Sequence, residues 1–160
     1  MSDTKKLAII ATKGSLDWAY PPFILASTAA ALGYETQIFF TFYGLQLLKK
    51  KLSLEVTPLG NPGMPMPMGM DKWFPVLLTA LPGMQSMMTA MMKKKMQAKG
   101  VASLEELREL CQEAEVKLIA CQMTVDLFDM DHSEFIDGVE YAGAAAFFEF
   151  AGDSDICLFI

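Results

Sequence analysis

Val116-Lys117-Leu118-Ile119-Ala120-Cys121-Gln122-Met123-Thr124-Val125-Asp126-Leu127-Phe128 is the stretch that decides the fold. Residues 116–120 form a short apolar run rich in strand formers. Past Cys121 the pattern changes, and Met123, Leu127 and Met130 recur at helical spacing. The change of period predicts that a parallel strand ends and a helix begins at Cys121. In open α/β sheets that edge, outside the carboxyl ends of the strands, is where sites are built. The first turn of a helix carries unpaired N–H groups and the positive end of the helix dipole. Both favour a thiolate over a thiol, and the thiolate is the reactive form. The alternative is a small buried residue packing under a loop, because free cysteine is often buried.

Toward the N-terminus, residues 7–12 (LAIIAT) make a continuous apolar run and read as a strand buried on both faces. The turn Thr12-Lys13-Gly14-Ser15 follows. Its single glycine matches neither the GxGxxG spacing of dinucleotide binders nor the Walker pattern. Lys13 and Gly14 are therefore read as an ordinary strand-to-helix turn lining the rim of the site. Ser15 or Asp17 is a candidate cap for the next helix, with Pro21 and Pro22 expected near its first turn. Residues 23–32 are alanine-rich and helical in pattern, with Gly33 as the stop. Residues 36–42 make a second β-rich run, which completes a right-handed βαβ unit. A short helix over 44–51 and a possible third strand over 54–58 come next.

Residues 61–70 hold three prolines, two glycines and four methionines, which excludes a regular element. Residues 73–92 then run without a charge up to Lys93-Lys94-Lys95. That length matches a bilayer span, but Pro75, Pro82 and Gly83 interrupt it, and a break near Pro82 leaves pieces too short to cross. Methionine is flexible and polarisable, suited to adaptable contact surfaces. The insertion, about residues 60–100, reads as an interaction surface: subunit contact first, membrane-surface contact second. Thioethers are soft copper ligands, but no cysteine or histidine lies among these methionines, and packing is the better reading.

Ser103-Leu104-Glu105-Glu106 reads as a capping box opening a helix to about Glu113, with Leu104, Leu107, Leu110 and Cys111 on its inner face. Cys111 is thus a structural candidate. Residues 129–134 carry acidic groups without the calcium-loop spacing and read as a solvated turn. Residues 141–152 read as a small-residue helix. Residues 155–160 read as the last strand, with Cys157 buried inside it.

Composition narrows the function. The chain has 160 residues, a length suited to one domain, with 52% apolar and 20% charged residues. Its net charge is −6, and Arg108 is the one arginine among thirteen basic residues. No basic stripe is interleaved with aromatics, which excludes a nucleic-acid partner. Three cysteines without a CxxC, and one histidine, are poor material for a metal site. The run after the first six residues is too short for a secretory signal, so the reducing cytoplasm is expected, where cysteines stay free.

Taken together, the opening strand with Lys13-Gly14-Ser15-Leu16-Asp17, the insertion over 63–95, Ile119-Ala120-Cys121-Gln122-Met123-Thr124-Val125-Asp126 and the Cys157-bearing end strand resemble the DsrE/DsrF-like family of sulfur-relay proteins. The likeness is to the larger branch, with a Met/Pro-rich insertion before the cysteine strand, and runs nearly the full length. It implies a three-layer α/β/α fold around a roughly five-stranded parallel sheet, a single domain carrying the helical insertion, and oligomeric assembly. It implies Cys121 as a carrier of sulfane sulfur in persulfide form, with Cys157 as a second matching cysteine. Thr124, Lys13 and Gly14 are supporting candidates. Thiolate 121 would take sulfur from a donor protein and yield it to an acceptor thiol, a sulfurtransferase-like exchange that needs no cofactor or metal. The expected setting is the cytoplasm or the membrane periphery. Two other readings stand beside it: a non-catalytic docking module in which the insertion binds partners or a membrane surface, and dithiol redox chemistry between Cys121 and Cys157.

Overall fold

In a computed structural model of the chain, which describes residues 4–58 and 80–160, five strands form one sheet in the order β4-β3-β2-β1-β5. They are β1 (Lys6–Ala11), β2 (Glu35–Phe40), β3 (Lys117–Cys121), β4 (Glu140–Ala142) and β5 (Ile156–Phe159), and every pairing between them is parallel. The helices are α1 (Leu16–Ala31), α2 (Met84–Ala98), α3 (Leu104–Glu113), α4 (Gln122–Leu127) and α5 (Ala144–Ala151). The chain steps outward from β1 to β4, then returns past β1 to lay β5 on its free side. Right-handed crossovers put α1, α3 and α4 on one face and α5, in the reversed step, on the other. Side-chain contacts agree: Phe23 of α1 lies 5.8 Å from Phe40 of β2, and Phe147 of α5 lies 5.2 Å from Phe39. The fold is the expected α/β/α sandwich.

Alternation along the central strands explains the two-sided core. Leu7, Ile9, Ile38, Phe40 and Leu118 are buried toward α1 and α3, whereas Ala8, Phe39, Ile119 and Cys121 join Phe147 on the α5 face. Apolar residues at every position of such strands are what burial on both faces requires.

Several local expectations need correction. The fifth strand is β4, not residues 54–58, and β4 overlaps the start of the stretch expected to be helical, residues 141–152. Leu54 and Val56 are buried without joining the sheet. Their backbone is met by side chains of α2 instead: Val56 N–H donates to Thr89 Oγ1 (3.0 Å), and Gln85 Nε2 donates to Val56 O (2.9 Å). α1 begins at Leu16, so Pro21 and Pro22 sit in its second turn. Ser15 and Asp17 turn to Thr57, whose hydroxyl donates to Asp17 Oδ2 at 2.8 Å and lies 3.2 Å from Ser15 Oγ. The short helix after β2 is a 3-10 segment, Phe42–Leu48.

The capping box on Ser103 is present as expected. The inner face of α3 is Leu104, Arg108 and Cys111, while Leu110 is 48% exposed. Arg108 donates from Nη1 to Leu47 O (3.0 Å) and Lys49 O (2.8 Å), the carbonyls that end the 3-10 segment. Burial lowers the pKa of that guanidinium, against the opposing pull of Glu105 and Glu109.

The chain divides into two compact units, residues 1–14, 18–52 and 103–160 forming one and residues 15–17 and 53–102 the other. The first holds the sheet. In the second, α2 follows Pro82 and a left-handed Gly83 (φ 86°), so the expected break is found. Thr89 is the one buried residue of α2, and Lys93 to Lys95 are exposed. No helix among the described residues is long and apolar enough to cross a membrane. The part of the uncharged run before residue 80 lies outside the described residues.

Candidate functional site

Cys121 is the last residue of β3 and the residue from which α4 starts, with φ −66° and ψ 109°. The strand-to-helix change read from the sequence is therefore where it was expected. Because the strand is parallel and central, this edge carries the loops that follow β1, β2 and β3. α4 leaves the N–H groups of its first turn without intrahelical acceptors beside the cysteine.

The thiol itself is covered. Cys121 is 4% exposed and packs with Ala8, Phe39, Ile119 and Phe147, with Ala142 against the same cluster. Ala142 is its register partner on β4. On that face the residue is covered by Phe147 of the eight-residue α5, with the three-residue edge strand β4 beside it; Gly143, the N-cap of α5, makes no side-chain cap.

Thr124 is fully buried, and its hydroxyl is engaged away from the sulfur. It lies 3.1 Å from Thr41 Oγ1 and accepts from Phe42 N–H at 3.4 Å. This ties α4 to the loop after β2. Phe42 is held at φ 48°, a left-handed conformation unusual for a bulky residue.

The turn after β1 reaches the same sheet edge, with Thr41 of the β2 loop between it and Cys121. A Cβ on Gly14 would run into Tyr43 O, and one on Gly44 into Ala11 O, so the two loops close on each other at glycines. Lys13 is exposed, with Nζ 3.1 Å from the centre of the Trp18 ring. The structure brings Lys13 and Gly14 to the rim and gives neither a contact with Cys121.

Cys157 is exposed on the edge strand β5, which corrects the expectation of a buried strand residue. β1 and β2 separate β5 from β3. Three strand spacings amount to about 14 Å, twice the Cα separation of about 7 Å that a disulfide tolerates. The dithiol reading is removed by this register. Cys111 is fully buried, its Sγ donating to Phe23 O at 3.4 Å, and burial pushes its pKa up to about 12. It is structural. No group of three or more candidate metal ligands occurs among the described residues.

Sequence reasoning found Met123 and Leu127 at helical spacing and did not say which face they take. They are 63% and 59% exposed, and Thr124 and Val125 are the buried pair. Phe42, Tyr43 and Phe128 make an aromatic cluster that the sequence reading missed, and Met123 and Leu127 are exposed on the helix that leads to it. Tyr43 stacks on Phe128 at 5.9 Å and Phe42 meets it edge-on at 6.3 Å. The signal available was the run of three aromatics at 39, 40 and 42 followed by Tyr43, too long for one strand face.

Comparison with known proteins bears on the family and the fold. The family model described as DsrE/DsrF/DrsH-like matches residues 3–159. The chain is 88% identical over 158 residues to the sulfur carrier protein DsrE2 of Allochromatium vinosum, with 99% of each covered. It is 35% identical over 163 residues to the uncharacterized protein YrkE of Bacillus subtilis, with 98% of each covered. Among solved structures, the ychN protein from E. coli shares the fold at a TM-score of 0.56 and 11% identity, over 98% of this chain and 100% of the other.

Proposed function

This chain belongs to the DsrE/DsrF/DrsH-like family, and on that premise we propose that it is a sulfur carrier that holds sulfane sulfur as a persulfide on Cys121. The observation that carries the proposal is the position of Cys121: the C-terminal end of a central parallel strand, joined directly to a helix start, in a chain 88% identical to a named sulfur carrier. The thiolate of Cys121 attacks the outer sulfur of a donor persulfide. A new S–S bond forms at Cys121, the donor's S–S bond breaks, and the donor leaves as a thiolate. Transfer to an acceptor thiolate runs the same exchange in reverse. Residue chemistry suffices for both steps.

Because Cys121 is 4% exposed at rest, loading requires movement of its cover, β4 and the start of α5. The carrier works in the cytoplasm as a homo-oligomer, with donor and acceptor proteins as partners and the face of α2 as subunit contact.

Mass spectrometry after incubation with inorganic polysulfide is the test. A sulfur-mass adduct on the native chain, absent from Cys121→Ser, is expected. An adduct that survives Cys121→Ser sinks the assignment. The cover over Cys121 favours a second reading, a docking module in which this cysteine is a packing residue. Thiol labelling separates the two: a Cys121 that stays unlabelled in the folded protein with every reagent, and takes no sulfur, establishes docking alone.

A further inference from the structure

The exposed cluster beside Cys121 has no use in sulfur chemistry. Phe42 (45%), Tyr43 (65%), Met123 (63%), Leu127 (59%) and Phe128 (38%) are all large, apolar and open to solvent. They come from the loop after β2 and from α4 with its end, two elements locked together by the Thr41–Thr124–Phe42 hydrogen bonds. The cluster begins two residues from the sulfur-bearing position. Holding Phe42 at φ 48° carries a conformational cost, and its ring is exposed.

Charge gives the patch its sign. Asp126 and Asp129 are exposed within it, and residues 126–140 contain six acidic residues and no lysine or arginine. Of these, Glu134 is neutralised by Lys49 at 3.0 Å. Lys13 of the turn after β1 is drawn over Trp18, and exposed Lys50 meets this segment through its backbone N–H, which donates to Glu134 O. An apolar centre with an acidic margin matches a partner of the opposite sign, because complementary charge steers encounter and disfavours like-charged competitors.

We propose that Phe42, Tyr43, Met123, Leu127 and Phe128, with Asp126 and Asp129 among them, dock a partner protein whose cysteine persulfide sits in an apolar surface ringed by lysine or arginine. The inference rests on Cys121 as the sulfur carrier and adds how the carrier selects its donor. Docked partner and carrier exchange one sulfur: the Cys121 thiolate takes the outer sulfur, and the partner leaves as its thiolate.

The test uses two persulfidated cysteine peptides of equal length, one with leucine and lysine around the cysteine and one with leucine and glutamate. Transfer to the full-length chain is followed by mass spectrometry. The lysine peptide should load Cys121 about tenfold faster at low salt. That advantage should vanish near 1 M salt, where the Debye length is about 3 Å. Asp126→Asn with Asp129→Asn should remove most of the advantage, asparagine being tolerated at the positive φ of position 129. Tyr43→Ala with Leu127→Ala should slow both peptides, while loading by inorganic polysulfide stays at the native rate in both variants. Equal rates for the two peptides, or a lysine-peptide rate untouched by both variants, overturns the docking surface. So does loss of self-association in the Tyr43/Leu127 variant, or binding of that surface to lipid vesicles, with peptide transfer unchanged. Failure of polysulfide to load the native chain would instead strike the sulfur-carrier reading itself.

Discussion

Gly44 shows how much a single residue fixes here. A methyl group at this position meets the Ala11 carbonyl oxygen, a backbone atom of β1 that cannot step aside without disturbing the sheet. Gly44→Ala should therefore cost about 1–3 kcal/mol, the range of overpacking in a packed interior, read as a lower urea midpoint. An unchanged midpoint would show that the two loops are not locked. Cys111 supplies a pH-dependent counterpart. Its folded pKa is pushed from 9.0 to about 12 by burial, so the folded state holds the proton after the unfolded chain has released it. Stability from this group is whole below pH about 9 and is lost as pH rises toward about 12. Cys111→Ala should flatten alkaline unfolding in that window, and a native thiol reagent should label Cys157 first and Cys111 only on unfolding. A Cys111 labelled as fast as Cys157 would contradict the burial.

What the sequence disclosed about residues follows the strength of local signals. Cys121 was legible because the change from a short apolar run to helical spacing is recorded in the chain itself. Its cover was not, since Phe147 and Ala142 arrive from elements 20 or more residues away. Cys157 was misplaced because an apolar strand looks alike in the middle and at the edge of a sheet; only the strand order decides.

At the level of elements, α3 is the instructive case. Its capping box could be read from four letters, but the inner face was drawn through Leu110, and the structure uses Arg108 instead. Leu104, Arg108 and Cys111 do keep helical spacing; arginine was passed over because charge is ordinarily outside. The buried guanidinium finishes the 3-10 segment by meeting Leu47 O and Lys49 O. Arg108→Ala should destabilise by about 3 kcal/mol through two unpaired carbonyls, and Arg108→Lys should recover part of that. Equal urea midpoints for native, alanine and lysine forms would refute the capping role. Residues 54–58 failed as a strand for a related reason. Their pattern suits any extended buried segment, and the side chains of Gln85 and Thr89 satisfied the backbone that a neighbouring strand would have used.

At the level of the whole molecule, α2 leaves a question that one chain does not close. Fifteen residues of helix bury Thr89 alone, and Met87 (48%), Met91 (42%) and the preceding Leu81 (51%) stand open to water. Contiguous apolar exposure of this kind marks an interaction surface, and a second copy of the same chain supplies a matching apolar helix at no extra cost in sequence. Closed symmetric assembly is the usual result. Light scattering on the purified chain without detergent should therefore give a mass that is a multiple of one chain. Met87→Lys with Met91→Lys should shift it to one chain while leaving polysulfide loading of Cys121 intact, because lysines continue the run Lys93 to Lys95 that already faces solvent. A native protein that runs as a monomer, or one recovered only from membranes, would remove α2 from the subunit contact.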